Sequence, residues 1–589
     1  MISGVIFSYS DVFDRQPSKE ELIAFIEKIP LRHAIFVISR INLAVRYTMQ
    51  GEGRANFGKV QEMLISAHID DEILGLLKAR FPTVKCDERP VFLPQSLLSM
   101  LRIVVAHCDP TPPPNTEDDE SVRYAIGRAC LMMNSLLFTS DEGKALKSGT
   151  EDDRRTELMT QTIAGFELIN SPKASHLMPR LQLMYRILLR DPSVSSRIAH
   201  ECEGFDFERE FNELVGIPLE RWLFVIFAIY AYFLNGANPL DPHPEYMLIN
   251  PGIFCGESGI SQAELDTVLA TISIPTAELK SAIDNETSTD PRHDFVAFRS
   301  KPLLRIEERK LLPVDLAFVV EKCHTGVQWT IHDKLPIKRR QTAFNAWGVL
   351  FEEYVHWLLE GMRTDLPVRY IRAPKWKNTK AESFDGMLLQ GQVLMPAEYK
   401  GGFLSRGARY SGNSRDLLAE LDAKFATGCD QLAEKIGVLF TEDDTIRKEL
   451  EDLPLDNFRS IVPVLVLQDH IFRVPFLNWY MNRKFQERLQ HSRLRRDVFV
   501  RPLTVINIQD LESIVHSAEG GNFDFIYALH HRAIRDERVL SDLIDTLRQF
   551  PQFGKTASPR IKKALEDAHA DWSAYLFPNS KKSPDVGNG

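Results

Sequence analysis

The sequence predicts a multidomain mixed protein of the α+β or α/β class, a mixed-sheet core set between large, mainly helical N- and C-terminal regions. Three observations carry this. The chain has 589 residues, too many for one core and enough for about three or four domains. Apolar residues recur at helical spacing over 20–29, 60–79, 95–105, 122–137 and 179–189, and again beyond residue 475. Between these regions, short runs of strand-forming residues are interleaved with two helical patterns over 341–469.

Composition and cysteine usage bound the setting. With 44% hydrophobic and 26% charged residues the chain reads as an ordinary soluble globular protein. Its seven cysteines are scattered with no C-x-x-C pair, which argues against a zinc ribbon or a disulfide framework and fits a reducing cytoplasm. The start, MISGVIFSYSDVFDR, lacks the basic and long apolar stretches of a signal peptide. The most apolar run, WLFVIFAIYAYFL at 222–234, falls short of the roughly twenty residues that span a bilayer. A buried core helix is therefore expected there, with no membrane partner and a cytoplasmic location.

In chain order, 1–240 is a mainly helical region of unreadable role, with strands expected at 4–8 and 33–39. Pro179 suits a first helical position. Loops are expected at 109–120 (DPTPPPNTEDDE) and 140–155, and a linker at 239–245 (PLDPHPE). The unit 241–333 has helical patterns at 261–271 and 276–283 and strand-like runs at 295–299 and 302–306. That order is winged-helix-like, and equally that of a common packing unit. Ser261 and Glu264 form a capping box, which marks a helix start. No repeat and no G-x-x-x-x-G-K-[ST] loop occurs.

The core is expected at 334–474, followed by a helical region at 475–578 and a disordered tail at 579–589. A helix over 341–362 carries the stripe Trp347, Leu350, Phe351, Tyr354, Leu358 and Met362, with Glu352 and Glu353 in its middle. Strands at 368–371, 384–389 and 393–399 follow, then a helix at 415–436 and strands at 438–440 and 461–467. Beyond them come helices at 475–490, 508–517, 525–535, 536–550 and 559–576.

Within this core FDGMLLQGQVLMPAEYKGG carries Asp385, then Glu398-Tyr399-Lys400. Two short strands joined by a turn bring two carboxylates and one ammonium together. Hard oxygen ligands of this kind hold magnesium, and a lysine beside them orients a water and neutralises developing negative charge. Strand alternation puts Glu398 and Lys400 on one face, and Met395, Ala397 and Tyr399 on the other, so one face packs while the other carries chemistry. An ion pair of Glu398 with Lys400 at a strand edge is the alternative reading.

This element order, with these residues, resembles the PD-(D/E)XK or restriction-endonuclease-like nuclease superfamily, over about residues 341–469. The resemblance implies a mixed sheet flanked by two helices, with Asp385 as first metal ligand, Glu398 as second, and Lys400 as catalytic lysine. Phe384 stands where the family name has proline. Gly348-Val349-Leu350-Phe351-Glu352 matches the first-helix motif, whose glutamate adds to the metal site, with Glu353 competing for that role. Gln431 stands where many members carry a glutamine near the active site, and the carbonyl of Tyr399 is an implied metal ligand. Mg2+, or Mn2+, is the implied cofactor.

Charge is consistent with a polyanion partner. The chain carries −10 overall, yet 334–409 holds thirteen Lys/Arg against seven Asp/Glu. Arg372, Lys375, Lys377 and Lys380 surround Trp376 in a loop ahead of Asp385, suiting a strand-holding rim. A second stripe spans 483–501, with seven Lys/Arg; a solvated helix end is the competing reading. The pairs His293-Asp294 and His332-Asp333 lack the further histidines of a metallohydrolase site, and His530-His531 suggests a polar helix face. The expected function is hydrolysis of phosphodiester bonds, in DNA first and RNA second. The rival is an inactive nuclease-fold scaffold or regulatory protein. By analogy, anti-phage or foreign-DNA defence is the setting, with a homo-oligomer or a partner subunit of a defence system expected and the extra helical region suggesting regulation, sensing or oligomerisation.

Overall fold

Burial of apolar stripes on long helices organises the chain around a sheet that the C-terminal region helps to build. The structure is a computed structural model that describes residues 6–576 apart from 51–53, 83, 85–87, 111–118, 138–148, 170–176, 178–179, 182, 237–247, 286–294, 308–309, 363–367, 411–412, 470, 472–473, 522, 537–538, 540–541 and 555–557. The expected linker 239–245, the pair His293-Asp294, Pro179 and the tail 579–589 lie outside the described residues, as do 111–118 and 140–148 of the two expected loops.

Ahead of residue 237 the described chain forms helices, among them α1 (Leu31–Gln50), α2 (Pro94–His107), α3 (Glu120–Leu137) and α4 (Leu219–Gly236). Neither strand expected here is present among the described residues. Residues 6–8 are irregular, although the Phe7 N–H donates to the Pro90 carbonyl at 3.0 Å. Residues 33–39 lie inside α1, where Ile35, Val37 and Ile38 are buried. A continuous apolar run does not distinguish a buried strand from a buried helix by its period. The pattern at 60–79 is two helices, Arg54–His68 and Asp71–Arg80, because the Asp70 carboxylate caps the second by accepting the Ile73 N–H. Residues 151–155, expected as loop, begin the helix Glu151–Ile169.

The apolar run at 222–234 falls within α4, where Trp222, Val225, Ile226, Ile229 and Phe233 are buried. Among the described residues no single helix is long and apolar enough to cross a membrane; Phe207–Val215 and α4 pass such a test only as a pair bent by 66°.

The next segment contributes a three-stranded sheet, β1 (Ser273–Pro275), β2 (Leu303–Glu307) and β3 (Lys310–Pro313), with β1 parallel and β3 antiparallel to β2. Residues 295–299 are not a strand: Val296–Ser300 is a short helix that buries Phe298. Nor is this unit separate from the N-terminal helices. Ile274, Leu304 and Leu312 share a core with α1, α2 and α3, while Leu303 and Leu311 belong to the core around α4. A buried ion pair from Arg46 of α1 to Asp315, at 2.8 Å, fastens the join.

The central sheet runs β10 (Thr504–Asn507), β8 (Val464–Leu467), β6 (Val393–Lys400), β5 (Gly386–Gln390), β4 (Arg369–Arg372). Strands β4, β5 and β6 are antiparallel neighbours, whereas β8 and β10 continue in parallel with β6. Short strands β7 (Ser460–Ile461) and β9 (Phe499–Val500) extend it beside β6. The run 461–467 is interrupted at Pro463, which lacks the N–H a ladder needs. Residues 438–440 end a helix instead of forming a strand. Strand β10 lies beyond the expected boundary at 474, so the sheet is completed by the C-terminal region.

Helices α5 (Ile337–Glu360) and α8 (Ile508–Gly521) cover one face, against Met395, Ala397, Tyr399, Val464, Val466 and Ile506. Helices α6 (Thr427–Leu439) and α7 (Leu477–Leu489) cover the other, against Met387, Leu389, Leu394, Leu465 and Leu467. Both faces therefore pack, and any chemistry is confined to strand ends. Helix α6 continues Ser414–Leu421 through a π-turn at Asp422–Ala426, which resets the face presented by the residues after it. The expected helix at 536–550 is reduced to Leu543–Leu547 and short turns.

A second buried ion pair ties the layers together. Arg180, fully buried, donates to both carboxylate oxygens of Glu512 on α8 at 2.6 and 2.8 Å, and the Tyr354 hydroxyl of α5 donates to Glu512 at 2.8 Å. Glu512→Ala leaves Arg180 without its carboxylate in the interior. We expect a loss of about 3–5 kcal/mol in urea unfolding, most of it recovered in the double variant Arg180→Met/Glu512→Leu.

Candidate active site

The candidate site gathers at the C-terminal end of β6, where Glu398 and Lys400 meet residues of α6. Glu398 is 1% exposed, and Lys400 follows on the same face, toward α6. The Lys400 ammonium donates to Gln431 Oε1 of α6 at 2.7 Å and to Glu398 Oε2 at 3.4 Å. The other oxygen of Glu398 accepts from Lys435, one helical turn beyond Gln431. Gly428 makes room for this arrangement. A Cβ there would lie 2.6 Å from Leu465 Cδ1 and 2.9 Å from Lys400 Cε, so a side chain at this position would push Leu465 or the lysine stem aside.

Asp385 sits one residue ahead of β5 and not within it; its Oδ2 accepts the Tyr399 N–H at 2.6 Å. Burial, then the neighbouring Glu398, pushes its carboxyl up to about 7, against the opposing pull of Lys400 and the Tyr399 N–H. Two carboxylates thus share one end of β5 and β6, and of the pair Glu398 is the one in direct contact with lysines.

The Tyr399 ring turns to the opposite face, toward α5. There Glu352 meets His356 at 3.2 Å, His356 meets the Tyr370 hydroxyl at 2.5 Å, and Tyr370 meets the Tyr399 hydroxyl at 3.3 Å. Gly386 allows this chain, since a Cβ on it would collide with the Tyr399 hydroxyl and lie 2.8 Å from that of Tyr370. Burial raises the Glu352 carboxyl, but His356 and Arg197 outweigh it and hold the group below its ordinary range. Arg197 also pairs with Glu353, which is buried and held further by Arg372. Glu352 is among the charges that raise the Asp385 carboxyl.

Asp385, Glu398, Lys400 and Gln431 therefore come together with the backbone of Tyr399, while Glu352 stands behind them engaged with Arg197 and His356. Among the described residues no group of three or more His, Cys, Asp or Glu is placed to hold a metal. Magnesium commonly takes only one or two carboxylates and keeps several waters. Asp385 and Glu398 fit that donor set, and the proton that Asp385 retains is one a cation would displace.

No protein-family model, curated protein or solved structure matches the chain. The geometry alone carries the functional reading.

The expected basic surfaces are largely neutralised. Lys377 and Lys380 pair with Glu449 and Glu451, Arg372 with Glu353, and Lys448 lies over Trp376. In the second stripe Lys484 pairs with Asp422, Arg488 with Glu434, and Arg495 with Asp456 and Asp497, whereas Arg496 is almost fully exposed. His332 bonds Asp333 and packs on Trp329, and the half-buried His531 packs on Tyr527 and Phe550.

Sequence reasoning did not single out Lys435, His356, Tyr370 or Arg197. Lys435 is four residues from Gln431 and His356 four from Glu352, a spacing that puts each pair on one helix face. Arg197 has no local signal.

Two outcomes are expected. In metal-free protein the folded state holds the Asp385 proton more tightly than the unfolded chain, so this contribution to stability is fully present below about pH 4 and lost as pH rises through about 7. Asp385→Asn should be more stable than wild type at pH 8, by about 2–4 kcal/mol in denaturant melts with EDTA, the gap closing near pH 4. Gly428→Ala should cost about 1–3 kcal/mol by overpacking, measured in the same way.

Proposed function

We propose that the chain is a metal-dependent nuclease of the PD-(D/E)XK type, hydrolysing phosphodiester bonds, with DNA as the favoured substrate. The observation that carries this reading is the meeting of Asp385, Glu398 and Lys400 at one end of β5 and β6, with Gln431 on the lysine. The sheet between α5 and α6, in the order helix, three antiparallel strands, helix, parallel strand, also supports it.

Asp385, Glu398 and the backbone of Tyr399 would hold Mg2+ or Mn2+. The bound ion supplies an activated water and charge neutralisation at phosphorus. Lys400 contributes a second positive charge. Held by Gln431 and Glu398, its ammonium is oriented in advance, so it donates to an attacking water or a phosphoryl oxygen with little reorganisation. Gln431 fixes that orientation and acts as a positioning residue. Burial of Glu398 keeps bulk water from screening these charges. Glu352, tied to His356 and Arg197, contributes negative potential from the α5 side.

A non-catalytic scaffold of the same fold is the second reading, favoured by Lys435, which already occupies one oxygen of Glu398.

Supercoiled plasmid incubated with the protein and Mg2+ should be nicked or linearised, and EDTA should abolish this. Asp385→Ala and Lys400→Ala should each lower the rate by about 100-fold or more. Equal behaviour of wild type and both variants would remove the catalytic reading in favour of the scaffold. Cleavage of a matched RNA but not the DNA would reassign the substrate.

A further inference from the structure

A second cluster of cations lies just beyond β6 and is not used by the chemistry above. The chain leaving Lys400 runs through Phe403 and Leu404 along a cleft whose other walls include Lys322, Thr325 and Trp329. Four cations, Arg299, Lys322, Arg406 and Arg409, line it against one carboxylate, Glu321.

Their partners differ. Arg299 is paired with Glu321 at 2.6 Å, and Arg409 with buried Asp469. Arg406 reaches Asp333 only at 3.8 Å and lies over the Trp329 ring, 4.8 Å from its centroid. Lys322 is 7% exposed, and its ammonium makes no hydrogen bond or ion pair with any described residue. Gly326 gives its stem a place to lie, since a Cβ there would be 3.0 Å from Lys322 Cδ. Burial, with Arg406 adding to it, holds the ammonium down to about 7; Glu321 and Asp333 oppose this, and Lys301 adds to it.

An unpartnered ammonium in the interior is costly and calls for an anion. The same cleft receives the first turn of the helix Thr325–Lys334, through Thr325 and Gly326. A helix N-terminus adds positive potential there, although the Val327 N–H of that turn already donates to the His324 carbonyl at 3.1 Å. Lysine, arginine and a helix N-terminus converging on one recess are the elements of a phosphate site. The recess also selects the kind of phosphate. Backbone phosphates of a duplex lie along an outer surface, out of reach of an ammonium this deeply set, whereas a terminal phosphate on a small molecule can enter.

We propose that the cleft between Lys322, Arg406 and the first turn of Thr325–Lys334 binds a small molecule through a terminal phosphate group. Lys322 and the remaining first-turn N–H groups take the phosphate oxygens, and Arg406 closes over them from the Trp329 side. Phe403 and Leu404 place the ligand against the segment that follows Lys400. The proposal does not depend on the nuclease reading.

The test uses the full chain, with inorganic phosphate and AMP as probes, titrated by calorimetry and thermal shift at constant ionic strength, with chloride as control. Both probes should bind saturably and raise the melting temperature. Lys322→Met and Arg406→Gln should each weaken binding by about tenfold or more. Lys448→Ala, an exposed cation elsewhere, should leave it unchanged. Should Lys322→Met fail to fold, Arg406→Gln, at a more exposed position, carries the same test. The proposal is overturned if neither probe binds, if chloride gives the same shift, or if the folded variants bind as wild type does. Tighter binding of a duplex oligonucleotide than of AMP, lost in Lys322→Met, would also overturn it in favour of a backbone contact.

Discussion

Burial of the Glu398 carboxylate at the end of β6 is the constraint around which the core is arranged. A carboxylate so far from water persists only beside cations and hydrogen-bond donors. Lys400 and Lys435 supply them, one from the same strand and one from α6. That requires α6 to lie close to the sheet, which the missing side chain of Gly428 permits. Asp385, a strand away, has no lysine in direct contact among the described residues, and burial beside Glu398 raises its carboxyl.

The opposite face of the sheet solves a different problem. Tyr399, Tyr370, His356 and Glu352 satisfy one another in a run of hydrogen bonds beneath the strand that bears the acids. Any shift of α5 along its axis would break this run, so the position of Glu352 relative to Asp385 is set by polar contacts as well as by apolar packing. Buried polar networks of this type favour one arrangement of the helix over its near neighbours.

How far the sequence discloses this depends on the range of the interaction. The alternation in β6 and the spacing of Asp385 from Glu398 and Lys400 place the acids and the lysine correctly, because hairpin geometry is local. The apolar stripe on α5 likewise announces a buried helix, and Trp347 to Leu358 are buried as expected. Strand β10 was missed because four residues between a proline and a helix carry too little period to register. The π-turn at 422–426 leaves no mark in an apolar pattern, and Arg197, Arg180 and Arg46 find partners more than a hundred residues away. The run at 33–39 misleads for the opposite reason: its strand-like composition is what a helix buried on most sides also needs.

The passage of β10 and α8 into the central sheet bears on modularity. Because β8 takes hydrogen bonds from a strand encoded some forty residues downstream, a fragment ending near 474 would expose a parallel edge and the apolar flank that α8 covers. The acid-bearing hairpin is thus not a cassette that can be transplanted with its nearest helices. The elements from α5 to α8 share one sheet and its covering layers, and residues of the earlier helices, Arg180 and Trp222 among them, pack into the same interior.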